Sequence, residues 1–598
     1  MRWEESVDVD GHTLKVSIDY VDEVPQEVGV SVVHQPNGTH RVEVVVTGDH
    51  PATVSTVTVA ATVSTANCRG VYIGADPHLE FGYLPHWPIT KEVSGHRGVP
   101  IAALVDHNAM ALFAIGLLDQ DSDAIVHAQL SEMDQCYHLA IERPPGSRID
   151  GSAVATTVPA GHTEVVYVLT RPHEFPQVLA DYVECATAHT RIAPRPVAAH
   201  AFLPVYCTWT AVHHEVNHEW AAHTARTAYD LGFRTWITDD GWHHPNGTFG
   251  SYSDIGHWQP DPTKFPDFSA HVREIQSLGM AYMLWVAPFM LGSEQTRYPA
   301  GAVSTQPGHP GAAFDLIDPE DPQAAEHVVT LLTGLVREYG LDGLKIDFID
   351  SLSARRHGNF TAPVGPLVRD ILHDALDPLL ATHPDLLIEF RNNYANLSMT
   401  RFATHYRSSD LPVNYVLNRW QATFLRLLSP DRAVVTDPML WPPDDSDINV
   451  SIHLINGLMA VPMVSIDFAQ YPASHLAIIK HWMGYYTDNI DVLAHGHFTP
   501  TLRGSTIPVT ICEGDNHAIV AVFDDVPVSI PPTARVDILN ASPTEDITIG
   551  SMSSSSRNVT IVDHFGKVIE STTWSDVPRR MVVPRGGRIE LRDSLKTR

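Results

Sequence analysis

The sequence predicts an α/β protein: a central (β/α)₈ barrel, the TIM-barrel architecture, flanked by an N-terminal β-sandwich domain and a C-terminal β-sandwich domain. Three observations predict it. Strand patterns rich in Val, Ile and Thr fill the chain up to about residue 180. Between residues 200 and 498, eight short apolar runs alternate with longer helical patterns. After residue 499 the strand pattern returns. The expected domains are 1–190, 200–498 and 499–598.

In the first part, VEVVVTG (42–48), TVSTVTVAATVST (53–65), IAALVDH (101–107), MALFAIGLL (110–118) and TEVVYVLT (163–170) are bounded by Gly, Pro, Asn and Asp. This is the pattern of an antiparallel sandwich. A helix, FPQVLADYVECATAH, and the Pro-bearing IAPRPVAA then read as a linker. In the second part the strands are FLPVYCTW, FRTWITDD, MAYMLWVAP, DGLKIDF, DLLIEFR, FATHYRSSD, RAVVTDPM and VPMVSIDF, each leading to a helical stretch. The helix after LLIEFR is expected to be short or missing. Gly232, Gly279 and Gly340 follow the last apolar position of three helices, where a left-handed C-cap is favoured. A doubly wound sheet fits less well, because no Gly-rich phosphate loop follows the first strand. In the third part TIPVTICEG, HAIVAVFDD, ARVDILN, NVTIVDHFG and RIELRD form a smaller β-domain.

Composition narrows the function classes. Of 598 residues, 44% are apolar, enough for a large core, and 18% are charged. The net charge is −31, so phosphate backbones and anionic lipid are repelled. Nucleic acid and membrane are not expected partners. The N-terminus has no apolar signal run and no stretch could span a bilayer, so the chain reads as cytoplasmic and the Asn246-Gly-Thr triplet as chance. Five scattered cysteines without a CxxC argue against a disulfide framework or structural zinc.

Chemistry in a barrel sits at the C-terminal strand ends. Strand 2 ends in Asp239-Asp240-Gly241-Trp242, strand 4 in Lys345-Ile346-Asp347-Phe348, strand 5 in Glu389-Phe390-Arg391, and strand 6 in Arg407-Ser408-Ser409-Asp410. Any one of these carboxylates is as readily a buried partner or helix cap. So many around one mouth need a ligand or counter-charge, which Lys345, Arg391 and Arg407 supply in part. Glycosidic cleavage requires such a set: one carboxylate to attack the anomeric carbon, one carboxylic acid to protonate the leaving oxygen. Lys345 shares a strand face with Asp347 and is expected to hold it ionised, as a nucleophile needs. Asp410 opens a loop, where desolvation is expected to raise its pKa as an acid/base needs. Trp209, Trp242 and Trp285 offer flat rings for a pyranose, although each alone reads more readily as core.

At these residues the chain resembles the α-galactosidase clan, in particular the melibiase-type glycoside hydrolases, of which it looks like a divergent member. CTWT (207–210) is similar to that family's N-S-W-E, WITDDGW (236–242) to L-D-D-G-W, LWVAPFM (284–290) to L-W-V-E-P-E-M, GLKIDF (343–348) to L-K-W-D-M, and RSSDLPVN (407–414) to its acid/base segment. The resemblance implies exo-acting double displacement with retention, Asp347 as nucleophile and Asp410 as acid/base. It implies also that Asp239 and Asp240 hold the 4-OH and 6-OH of galactose, that Lys345 donates to the sugar, and that Arg407 holds a hydroxyl near the leaving group. The expected partner is an oligosaccharide or glycoside, with no metal or cofactor; homo-oligomerisation is left open.

Three departures fall on the C2/C3 side of the pocket. Ala287 replaces the family's Glu, LIEFRNNY replaces a Cys- and Gly-rich segment, and the residues after Asp410 differ. Glu389 and Arg391 are therefore expected at those hydroxyls or at a C2 substituent. An α-N-acetylgalactosaminidase, a β-L-arabinopyranosidase and a galactosyl transglycosidase are alternatives on the same scaffold; a catalytically dead sugar-binding protein is another. A remote alternative is a zinc protease, because His214, Glu215 and His218 match H-E-x-x-H. Trp87 reads as core, or as a side chain reaching a neighbouring active site.

Overall fold

The computed structural model describes residues 2–20, 27–35, 37–47, 52–65, 67–74, 88–121, 123–143, 156–158, 162–190, 195–243, 252–293, 303–307, 313–353, 362–551, 556–575 and 579–593. Trp87 and Asn246 lie outside them.

Eight short parallel strands form the centre. In chain order they are Val205–Cys207, Thr235–Thr238, Ala281–Val286, Gly343–Ile346, Leu387–Arg391, His405–Arg407, Ala433–Val435 and Met463–Val464. The hydrogen-bonded order runs from the seventh back to the first and then to the eighth. Parallel bridges Val435–Val461 and Met439–Val464 join the seventh to the eighth, so the ring closes. The strands are buried on both faces, as continuous apolar runs such as AYMLWV require. Gly232, Gly279 and Gly340 all adopt positive φ at or just past their helix ends, which turns the chain back toward the next strand. The unit after the fifth strand carries a 3-10 turn, Asn392–Tyr394, and the one-turn helix Leu397–Thr400 in place of a long helix. An insertion after the third strand forms a small sheet of Met290–Gly292, Thr305–Pro307 and Phe314–Ile317.

The N-terminal part is a sandwich of two seven-stranded antiparallel sheets. Alternating Val, Leu and Ile from Leu14, Val16, Ile18, Val42, Val44 and Val46 fill the space between them. Its turn at residues 94–98 braces the barrel mouth. Gly98 N–H donates to the Asn393 carbonyl at 2.6 Å, Asn396 Nδ2 donates to the Ser94 and Gly98 carbonyls at 3.2 Å each, and the His96 ring bonds the Leu352 carbonyl at 2.8 Å. The C-terminal part packs a seven-stranded sheet against a three-stranded one over its own core. Its seven-stranded sheet is mixed, because His517–Val522 and Arg535–Asn540 pair in parallel. Among the described residues no helix is long and apolar enough to cross a membrane.

Candidate active site

The C-terminal ends of the barrel strands surround a cavity of ≈ 250 Å³. This is just below the ~300–1,000 Å³ usual for small-molecule sites, and suits one small polar ring. It is lined by Trp209, Asp239, Asp240, Trp285, Lys345, Asp347, Arg391, Arg407 and Asp410, nine of the eleven residues the sequence singled out. Thr210, Tyr252, Phe348, Pro412, Asp437 and Pro438 complete the wall.

Asp347 follows the fourth strand and is only 7% exposed at its side chain. Trp285 Nε1–H donates to its Oδ2 at 3.1 Å, the Phe348 N–H donates to its Oδ1 at 2.8 Å, and the Tyr394 hydroxyl reaches Oδ1 at 3.4 Å. Burial alone would raise its pKa; Arg391, then Lys345 and Arg407, outweigh this and hold the carboxyl below its ordinary value. Phe348 makes the turn with a left-handed φ of 56°, and its ring packs edge-on against Tyr252.

Lys345 does not pair with Asp347 as expected. Its ammonium lies 2.6 Å from Asp239 Oδ2, which also accepts the Cys207 thiol at 3.1 Å. The two side chains do share the strand face, but the strand-2 carboxylate is nearer. The main partner of Asp347 is instead Arg391, whose Nη1 lies 3.3 Å from Oδ1. Asp240 is held by two buried imidazoles, His214 Nε2 at 3.1 Å and His243 Nε2 at 3.3 Å.

Asp410 stands across the cavity and is 67% exposed. It is ion-paired to Arg391 Nη2 and, at 3.2 Å, to Arg407 Nη1. The expected rise in its pKa is not what the surroundings produce. Partial loss of hydration acts upward, but Arg407, then Arg391 and Lys345, hold the carboxyl down at about 2.

Two expected sugar contacts do not line the cavity. Trp242 is fully buried; its Nε1–H donates to the Trp285 carbonyl at 3.0 Å and its ring stacks on Phe268. It is core beneath the floor. Glu389 is 1% exposed, one layer below Arg391, with Arg407 Nε at 3.6 Å. Burial raises its carboxyl, with Lys345 and Arg407 opposing. The missed residue is Asp437, two past the seventh strand, which is buried, lines the cavity and is ion-paired to Arg407. Its Oδ2 accepts the Leu411 N–H at 2.6 Å, and burial pushes it up to about 7 despite Arg407. The rule that exposed the other strand ends applies equally to VVTDPM.

The H-E-x-x-H reading is corrected. His214 lies in the turn His213–Glu215 and bonds Asp240, whereas His218 begins the next helix and meets His271 Nδ1 at 3.0 Å. The two histidines are not on one helix and do not face one ion.

Fold and site together define a closed α/β barrel between β-sandwiches with a small charge-lined cavity at its mouth. Known proteins share parts of this pattern. The Melibiase family model matches residues 186–389. Alpha-galactosidase 2 of Pediococcus pentosaceus is 30% identical over 193 residues, 30% of this chain and 26% of that protein, so the alignment spans about a quarter of the relative's length. In three dimensions the chain is similar to the α-galactosidase AgaA of Geobacillus stearothermophilus, solved as a single-substitution variant with 1-deoxygalactonojirimycin (TM-score 0.61, 12% identity, 99% of this chain and 88% of that one). It is similar also to a doubly substituted AgaA variant with raffinose (0.60, 12%, 99% and 88%) and to the Lactobacillus brevis α-galactosidase (0.61, 13%, 100% and 84%). The chain is thus similar in sequence to melibiase-type α-galactosidases over residues 186–389, and in fold over nearly its whole length.

Proposed function

We propose that the protein is a retaining, exo-acting glycoside hydrolase that removes terminal α-galactoside-like residues from oligosaccharides or simple glycosides in the cytoplasm. The observation that carries this reading is the pairing of Asp347 with Asp410 across one small cavity, a single guanidinium reaching both. Asp347, ionised and oriented by Trp285 and the Phe348 N–H, attacks the anomeric carbon. Asp410 protonates the leaving oxygen and afterwards, as a carboxylate, takes a proton from the incoming water. Both steps conserve one proton between substrate, Asp410 and water. Asp239, Asp240 and Lys345 present acceptors and donors to the sugar hydroxyls, and Trp209 and Trp285 pack on its apolar face. The size of the cavity favours a terminal residue over an internal one.

The test is a panel of nitrophenyl α-galactoside, α-N-acetylgalactosaminide, β-L-arabinopyranoside and α-glucoside, with the anomer of the first-formed product followed by NMR. The reading expects the α-galactoside or one of its close stereochemical relatives to be cleaved with retention. Inversion, or no turnover of any of the four, defeats it. Product analysis with an added acceptor sugar separates hydrolysis from transglycosylation. Asp347→Ala is expected to reduce turnover to background. Asp410→Ala is expected to lose about 10²–10⁴-fold on alkyl glycosides and far less on nitrophenyl ones, whose leaving group needs little protonation. Equal losses on both would remove Asp410 from the acid/base role.

A further inference from the structure

The wall of the cavity poses a conflict. An anomeric carbon under attack must lie between Asp347 and Asp410, yet the Arg391 guanidinium already spans them. Its position is fixed by the fifth strand and by the Phe348 ring, 5.5 Å from the guanidinium carbon. Of its two ion pairs, one can yield. Asp347 is buried and held by Trp285, Tyr394 and the Phe348 N–H, whereas Asp410 is exposed at the start of a loop.

We propose that Arg391 is a positioning residue that couples sugar binding to proton uptake: it clamps both carboxylates before substrate enters, and a bound sugar makes it keep Asp347 and release Asp410, which then takes a proton from solvent. The proposal rests on the glycosidase reading above and adds how the acid arm is loaded. The proton passes from water to the Asp410 carboxylate on binding, to the leaving oxygen in the first step, and is replaced from water in the second.

The surroundings support a single releasable cation. Asp410 faces Arg407 and Arg391, with Lys345 further off. Arg407 cannot follow Arg391 away, because it is 3% exposed and also bound to Asp437 and close to Glu389. Asp347 faces Arg391, Lys345, Arg407, Trp285 and Tyr394, whose single hydroxyl proton is shared between Asp350 at 3.0 Å and Asp347 at 3.4 Å. Asp239 and Asp240 are engaged by Lys345 and by His214 and His243. Drawing Arg391 wholly onto Asp347 therefore takes from Asp410 one of its two adjacent guanidinium groups and leaves the partners of the other wall carboxylates in place.

The pH dependence of methyl α-galactoside cleavage, or of the alkyl counterpart of whichever glycone the panel selects, tests this in the unmodified enzyme. The alkaline limb of kcat/KM reports the free enzyme and that of kcat the complex. The limb for kcat is expected at higher pH than that for kcat/KM, by about 1–3 units, the effect of one adjacent opposite charge. In Arg391→Gln the kcat/KM limb is expected to rise and the gap to close; Arg391→Lys, which keeps a charge, should retain part of it. Coincident limbs in the wild-type enzyme overturn the proposal while leaving the glycosidase reading standing, and so does an active Arg391→Gln whose limbs have not moved. Absence of cleavage of every glycoside overturns both.

Discussion

At the scale of single residues, the cavity wall is an alternating chain of charges: Asp347, Arg391, Asp410, Arg407, Asp437. Each guanidinium is shared between two carboxylates, which offsets most of the charge of the three acids. Asp437 is the least exposed end of this chain and anchors Arg407 and the Leu411 N–H together. Asp437→Ala is therefore expected to lower stability by about 1–3 kcal/mol, as read from urea unfolding, because the Leu411 N–H loses its acceptor while Arg407 keeps Asp410. Asp437→Asn, which keeps an acceptor for Leu411, should cost less. The residue types at the mouth were legible in the sequence, because carboxylates and cations at successive strand ends have few other reasons to gather. Depth was not. Glu389 and Arg391 lie on one strand face, but only Arg391 reaches the cavity, since the barrel interior is packed in layers and sequence gives no measure of the layer. Partner choice was also hidden: Lys345 meets Asp239, 106 residues earlier and two strands round the ring, a meeting that only the closed barrel creates.

At the scale of the elements, short strands suffice because each is buried on both faces and bonded on both sides. The fourth strand shows how tightly they fit. A Cβ on Gly343 would lie 2.5 Å from the Leu387 carbonyl oxygen and 2.9 Å from Met283 Cγ. Gly343→Ala is expected to destabilise the protein by about 1–3 kcal/mol through forced strand displacement. Because Asp347 lies four residues on, catalytic rate should fall as well; wild-type stability and rate in this variant would show that the barrel accommodates the methyl. Element types followed from apolar period and glycine punctuation, and the short unit after LLIEFR from its missing helical pattern. The small sheet in the third unit had no comparable signal: its short strands border a stretch rich in Gly, Pro and Ser that reads as loop.

At the scale of the whole molecule, the N-terminal sandwich does more than flank the barrel. Asp123 accepts the N–H groups of Val364 and Gly365 at 2.9 Å each, capping the barrel helix Val364–Thr382 from another part of the chain. Burial, with the nearby Glu92 carboxylate, pushes Asp123 up to about 7. A carboxyl raised in the folded state favours folding at acid pH, and that contribution is lost as pH climbs from about 4 to about 7. Thermal midpoints measured across that range should fall more steeply in the wild-type protein than in Asp123→Asn; parallel curves would remove Asp123 as the source. The barrel flanked by two β-sandwiches was legible because strand and helix periods change abruptly along the chain. The contacts between them were not, since they rest on turns at residues 94–98 and 392–396 with no periodic signal.

The account depends most on Asp347 forming a bond to the sugar. A 5-fluoro glycosyl fluoride of the preferred glycone destabilises both oxocarbenium-like transition states while its fluoride leaving group keeps the first step fast, so the covalent species accumulates and peptide mass spectrometry locates it. The account predicts one fluorosugar per chain, on the peptide carrying Asp347, and no label in Asp347→Ala. A label on Asp410, Asp437 or Glu389 in an active preparation would contradict it.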